Sequence, residues 1–303
     1  MTKRVMVFVS IFAFISLLQV HYAFAGAWTV PKDHVWGEYY MKWDYAKGFL
    51  GPDGHRRYSF NQANGFRSWE FVMEPKLEFG VTDWLTALGS VEYKEGHYKE
   101  YGRPRNFGPF ERKNNGITNI KLGGRLRLID TPVVISTQTK VFIYPGYGNY
   151  HGERGSYPNQ PSIGYGDDSV EQRILIGKTF DIPLPFVQFS KLPAYVGAET
   201  GYRWRTRHVA SDIPYFVEGG VWPVQWFLLK SELDGYKCNP GTGSIKESYG
   251  IWRIGGVWQV FGGDSTLRQG GKMFNIEFDY GMTVWGKNTT AYQEWTMKVD
   301  TQF

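Results

Sequence analysis

The end of the chain is written in strict alternation. Trp295, Met297, Val299, Thr301 and Phe303 fall on one face of an extended segment, and Glu294, Thr296, Lys298, Asp300 and Gln302 fall on the other. Successive side chains of a strand point to opposite sides of a sheet, so one face is apolar with aromatics at both ends and the other is charged. A soluble sheet turns such an apolar face to a core. A barrel in lipid turns it outward and lines a lumen with the polar face.

The same alternation recurs along the chain. Its clearest internal case runs over 69–80, where Trp69, Phe71, Met73, Leu77 and Phe79 alternate with Glu70, Glu74, Lys76 and Glu78. Pro75 falls on the apolar face, where it removes a ladder hydrogen bond or marks a bulge. Eleven segments precede the terminal strand, near 35–45, 69–80, 84–94, 118–128, 133–144, 170–179, 194–205, 214–222, 225–236, 249–260 and 274–285. Long connections alternate with short ones, the short ones near 81–83, 129–132 and 223–224 and, less tidily, 180–193 and 261–272. An even strand count with this rhythm puts both termini and the short turns on one side. Charges interrupt every later apolar run, so no segment reads as a membrane helix. A chain that spans lipid without helices must close its backbone bonds in a barrel. The expected fold is therefore all-β, a transmembrane antiparallel up-and-down β-barrel of about twelve strands, at roughly ten residues per tilted strand. The soluble alternative does not account for charge at nearly every polar-face position.

The first residues suit export. Lys3 and Arg4 precede an apolar run over 5–20, and Ala23-Phe24-Ala25 fits the small-x-small pattern before a cleavage point. The run falls short of the ~20 residues a spanning helix needs. Residues 1–25 are expected to be a cleaved signal peptide and residues 26–303 a single barrel domain. A terminal phenylalanine on such a strand resembles the carboxy-terminal signal of bacterial outer-membrane barrels, which makes Phe303 and Trp295 the candidate assembly signal. The implied address is the outer membrane of a Gram-negative bacterium. Membrane lipid, lipopolysaccharide and the barrel-assembly machinery are the implied partners. A basic loop with Lys99, Arg103, Arg105, Arg112 and Lys113 would meet lipopolysaccharide phosphates or simply be solvated.

The polar faces supply the candidate pore-lining residues: Glu38, Lys42, Glu70, Glu74, Lys121, Arg125, Arg127, Glu199, Arg203, Arg205, Arg253, Glu277, Asp279, Glu294 and Lys298. Acids dominate the first two and last two segments, and bases dominate the fourth, the fifth and the outer end of the seventh. Arg125, Arg127, Arg203 and Arg205 are therefore expected opposite Glu70, Glu74, Glu277 and Asp279, with a transverse field between them. Two readings stay open. In one, a narrow, loop-gated passive channel conducts small polar or charged solutes. In the other, the charges pair and plug a non-conducting structural barrel, since buried charge is tolerated only when paired.

Other functions find little support. The net charge of +5 comes with no dense basic run, so nucleic acid is not an expected partner. The single cysteine, Cys238, excludes an internal disulfide and a cysteine metal cluster. Neither a metal nor a cofactor is expected. His208 with Ser211 and Asp212 is the only local cluster with hydrolase residue types, and it lacks a motif; no enzyme is expected. The loop 145–168 carries Tyr147, Tyr150, Tyr157 and Tyr165 among turn residues, the composition of a surface loop.

Two short stretches carry a family resemblance. Gly26-Ala27-Trp28-Thr29-Val30-Pro31-Lys32 is similar to the opening of XagA-like outer-membrane proteins. Leu77 to Leu85, with its Glu78-Phe79-Gly80-Val81-Thr82-Asp83-Trp84 core, resembles a strand-turn-strand signature shared with outer-membrane transporters associated with phenol degradation. The resemblance implies an outer-membrane barrel that moves small or hydrophobic molecules, and it carries over no functional residue. A transporter of small hydrophobic or aromatic compounds is the third reading, although the polar faces show no apolar lumen patch to favour it.

Overall fold

A computed structural model describes residues 26–57, 66–100, 110–145, 166–184, 191–206, 209–243, 246–261 and 273–303. Residues 1–25, where a signal peptide is expected, most of the tyrosine-bearing loop, Arg103 and Arg105, and His208 lie outside the described residues.

Why the chain closes on itself follows from the strand order. Strands β1 (Val35–Leu50), β3 (Phe66–Thr82), β4 (Leu85–Glu100), β5 (Phe110–Ile129), β6 (Val134–Ile143), β7 (Ser169–Pro183), β8 (Lys191–Arg205), β9 (Asp212–Val224), β10 (Phe227–Cys238), β11 (Ser248–Phe261), β12 (Met273–Lys287) and β13 (Thr289–Gln302) each pair antiparallel with their sequence neighbour. A two-residue strand, β2 (Arg56–Arg57), extends the first hairpin beyond β1. The ring closes where β13 pairs with β1, from Trp36 opposite Gln302 to Leu50 opposite Thr289. Just outside that ladder, Val35 N–H donates to the Phe303 carbonyl at 2.8 Å and Phe303 N–H donates back at 3.0 Å. Twelve strands thus form a closed up-and-down barrel, in the number and order the alternation predicts.

Several strands exceed the expected ten residues. β5 has 20 and β3 has 17, because pairing continues past the point where apolar alternation lapses. Pro75 stands opposite Tyr39 without any shift of register. On its other side the β3–β4 ladder resumes at Lys76 opposite Ser90 in the register it held at Met73 opposite Tyr93. Proline costs the local ladder bonds there and makes no bulge.

The distribution of side chains is inverted relative to a soluble barrel. Leu77, Leu122, Ile174, Val217, Ile254, Phe278 and Trp295 point outward and are exposed, while Glu171, Asp212, Glu232, Arg253, Asp279 and Glu294 point inward and are buried. An apolar surface that encircles a whole barrel is far larger than the patches water tolerates on a monomer, and it suits lipid. Trp84 and Trp226 stand exposed beside the short turns, and Trp204 and Trp285 near the opposite ends of their strands. This is the placement of interfacial aromatic girdles. Phe303 and Trp295 both lie on the outer surface, with Trp295 opposite Trp43 of β1.

Placing charge on this outer face should be costly. Ile174→Arg is expected to lower the stability of the folded barrel in bilayers by about 2–4 kcal/mol, read as a shift of the urea midpoint in lipid vesicles. An unchanged midpoint would place Ile174 outside the lipid band.

Candidate functional site in the barrel lumen

Strand parity decides which side chains meet the lumen, and the ion pairs they make run along the wall. Lys76 of β3 donates to Glu38 of β1 at 2.7 Å, and Lys94 of β4 lies 2.6 Å from Glu70 of β3. Lys121 of β5 bridges Glu74 and Glu92, each at 2.8 Å. Arg125 forks onto both oxygens of Glu78 at 3.0 Å and also donates to Gln138. Arg173 pairs with Glu171 at 2.6 Å and Glu199 at 3.2 Å. Toward the long-loop end, Arg203 joins Glu171 to Asp212, and Arg205 joins Asp212 to Asp167.

On the facing wall five carboxylates share three cations. Arg253 holds Glu232, Asp234 and Glu294. Lys230 lies 3.0 Å from Glu232 and 2.7 Å from Glu277, and Lys298 reaches Glu277 and Asp279. Lys42 adds pairs to Asp44 at 2.7 Å and Glu294 at 3.9 Å.

The expected division into an acidic and a basic wall is therefore absent. Arg125, Arg203 and Arg205 each sit against carboxylates on their own or nearby strands. Arg127 is at the rim, where its guanidinium donates to the Asp83 carbonyl at 2.7 Å. Long side chains on adjacent strands reach one another more easily than they reach across the lumen, so the field closes locally. Of the remaining candidates, Ser211 accepts from Arg205 N–H and Asp212 is taken up by two arginines, so both serve the wall. Cys238 is a half-buried free thiol at the end of β10, its N–H bonded to Ser248 Oγ.

The charged side chains of the lumen differ in how tightly they are enclosed. The side chains of Glu294, Asp279, Glu232 and Lys230, on β10 to β13, are all but sealed. Those of Lys76 and Glu92, on β3 and β4, remain 33% and 21% accessible. Asp234 on β10 keeps 36%, so accessible charge remains on both sides of the lumen.

The chain ahead of β1 stops the lumen at the short-turn end. Residues 26–34 do not run away from the barrel but fold into its mouth. Ala27 is fully buried and its carbonyl accepts from Ser136 Oγ. The Trp28 carbonyl accepts from Arg125 at 2.8 Å, and Val30 N–H donates to the buried Thr86 Oγ1 at 2.9 Å. Thr29 Oγ1 and Lys32 N–H bind Asp83 in the first short turn. The Trp28 ring packs between two apolar clusters. One contains Ala27, Val134 and Leu175, and the other Tyr195, Trp222, Leu228, Val257 and Met273. Two glycines leave room for this approach. A Cβ on Gly177 would stand 2.4 Å from the Trp28 ring, and one on Gly80 would stand 1.9 Å from the Pro31 carbonyl oxygen.

The sequence carries one signal for this plug. Val134, Leu175, Tyr195, Trp222, Leu228, Val257 and Met273 all fall on the inward parity of their strands, where charge is the rule. Most stand near the short-turn end of their strand, and together they form an apolar layer that needs a partner. The expectation of a lumen without an apolar patch is corrected by this layer.

No protein-family profile matches the chain, and no curated protein sequence is significantly similar to it. Among solved structures, an outer-membrane channel from Pseudomonas putida F1 superposes with a TM-score of 0.62 at 12% identity, covering 93% of this chain and 100% of that one. The translocator domain of the autotransporter NalP from Neisseria meningitidis reaches 0.40 at 9% identity, covering 98% of this chain and 94% of that one. A FadL homologue from Pseudomonas aeruginosa reaches 0.35 at 7% identity, with 89% of each chain covered. The first likeness is one of fold, and the other two are too slight to argue from. Closed topology, apolar exterior and charged lumen together define an outer-membrane β-barrel of the Gram-negative type.

Truncating the plug ring should loosen the mouth. Trp28→Ala removes the contact between the two apolar clusters and is expected to cost about 3 kcal/mol in equilibrium unfolding from vesicles. A loss below about 0.5 kcal/mol, the level of an ordinary surface change, would mean that Trp28 is not packed there.

Proposed function

We propose that this barrel is an outer-membrane channel for small polar or charged solutes, kept narrow by its ion-paired lumen and gated at the periplasmic mouth by residues 26–34. One observation carries the reading: within the ion-paired lumen the side chains of Lys76, Glu92 and Asp234 stay 33%, 21% and 36% accessible. A strip of paired charges can pass a hydrated solute without presenting one dominant sign. The fold likeness to the Pseudomonas putida outer-membrane channel agrees with this reading. The plug takes over the gating role first expected of a loop. Removal of residues 1–25, insertion through the Trp295 and Phe303 signal and lipopolysaccharide contact at the basic loop belong to the same proposal.

The apolar layer supports a second reading. Tyr195, Trp222, Leu228, Val257 and Met273 form a cup that Trp28 fills, and a small hydrophobic or aromatic compound could take the place of the ring. The resemblance to transporters associated with phenol degradation points the same way.

Planar-bilayer recording of the purified protein separates the two. The first reading expects small, steady single-channel steps, larger by about twofold or more when residues 27–31 are deleted or Gly177→Ala displaces the Trp28 ring, as expected when a packed segment leaves a pore. Silence at every voltage in both the intact and the deleted protein would overturn it. Phenol-dependent quenching of tryptophan fluorescence that is lost in Trp28→Ala would then favour the second.

A further inference from the structure

Gly26, the first described residue, lies inside the barrel against β8. A Cβ built on it would stand 2.0 Å from Glu199 Oε1 and 3.5 Å from the Leu175 side chain. The Gly26 nitrogen, one bond from that same Cα, is then within about 5 Å of the Glu199 carboxylate. Only a residue without a side chain fits this position with Glu199 where it stands.

Glu199 needs a cation that the wall does not fully supply. Arg173 donates to it at 3.2 Å, but the same guanidinium is held closer by Glu171, at 2.6 Å. Glu218 stands on the neighbouring strand, opposite Gly197 and on the same inward face. It is buried and accepts from Tyr195 OH at 3.2 Å, and among the described residues no cation lies within ion-pair distance of it. Glu199 thus shares its arginine with Glu171, and Glu218 beside it has no ion pair of its own among the described residues. Buried carboxylates in that position call for another positive group.

We propose that Glu199 is the receptor for an amino terminus at Gly26. Hydrolysis of the Ala25–Gly26 bond adds one water across it. The departing leader keeps a carboxylate on Ala25, and the new amine of Gly26 takes up a proton. The resulting ammonium completes the charge balance at Glu199 and ties the plug to β8. An uncut chain offers only a neutral amide there. Processing therefore finishes the lumen, in addition to releasing the protein from the leader. This holds whether or not the lumen conducts.

The test uses mature protein extracted from outer membranes. Its intact mass should equal that of a chain beginning at Gly26, and any other start overturns the proposal. The folded barrel is then treated with an acetylating amine reagent at neutral pH, and the peptide Gly26–Lys32 is quantified by mass spectrometry. Labelling of the Gly26 amine should be slower by about tenfold or more in the folded than in the heat-unfolded protein, the protection expected of a group reached only through local opening. Glu199→Gln should remove most of that protection while the barrel keeps its heat-modifiable migration on gels, and Glu199→Asp should retain part of it. Equal labelling of folded and unfolded protein, or full protection in folded Glu199→Gln, overturns the assignment. If neither variant folds, the wild-type comparison of folded and unfolded protein decides.

Discussion

Everything in this structure depends on the closure of β13 onto β1. In lipid an unpaired backbone N–H or C=O costs several kcal/mol, so a sheet with two open edges has no place there. The ladder from Trp36–Gln302 to Leu50–Thr289, continued by the reciprocal bonds of Val35 and Phe303, removes both edges. Once the ring is closed, strand parity leaves each residue only an inside or an outside. The lipid takes the outside, so most of the charge on those strands is committed to the lumen, with Glu95, Lys178 and Lys237 among the exposed exceptions on the outer parity.

That commitment explains the pairing. Charges gathered in a narrow interior cannot stay hydrated as they would on a surface, and each needs a partner to offset its desolvation. The partners found are mostly the nearest ones, such as Lys121 with Glu74 and Glu92 or Arg125 with Glu78. Where carboxylates outnumber cations, as around Lys230, Arg253 and Lys298, each cation is shared and the side chains pack until little is exposed. Where the numbers are closer to even, along β1 and β3 to β5, the pairs are simpler, such as Lys76 with Glu38 and Lys94 with Glu70.

The parts of this arrangement that parity controls were legible in the sequence. Strand count, order and face follow from alternation, because a single slip of register would turn charges into lipid. Alternation assigns Glu70, Glu74, Arg253, Glu277 and Glu294 to the polar face of their strands, and in the structure they take part in the ion pairs along the wall. What alternation does not encode is reach. The basic and acidic walls seemed separate when strands were read one at a time, yet a lysine or arginine stem extends easily to the next strand. The plug was illegible for a different reason. Gly26 to Lys32 has no period of two or 3.6 residues, and its only trace was the run of inward apolar residues from Val134 to Met273 at the mouth.

The plug is part of the fold rather than a tail that happens to rest in it. Its backbone groups are satisfied by the wall: Ala27 by Ser136, Trp28 by Arg125, and Val30 by Thr86. These are the groups that irregular chain inside a lumen would otherwise leave unpaired. The wall in turn gives up side chains at Gly80 and Gly177 to admit the segment, and it carries an apolar layer that the Trp28 ring covers. Opening the mouth must exchange those bonds for water and expose that layer at once. Both costs fall on the same few residues, so the segment from Ala27 to Val30 and the wall around it are stable only together.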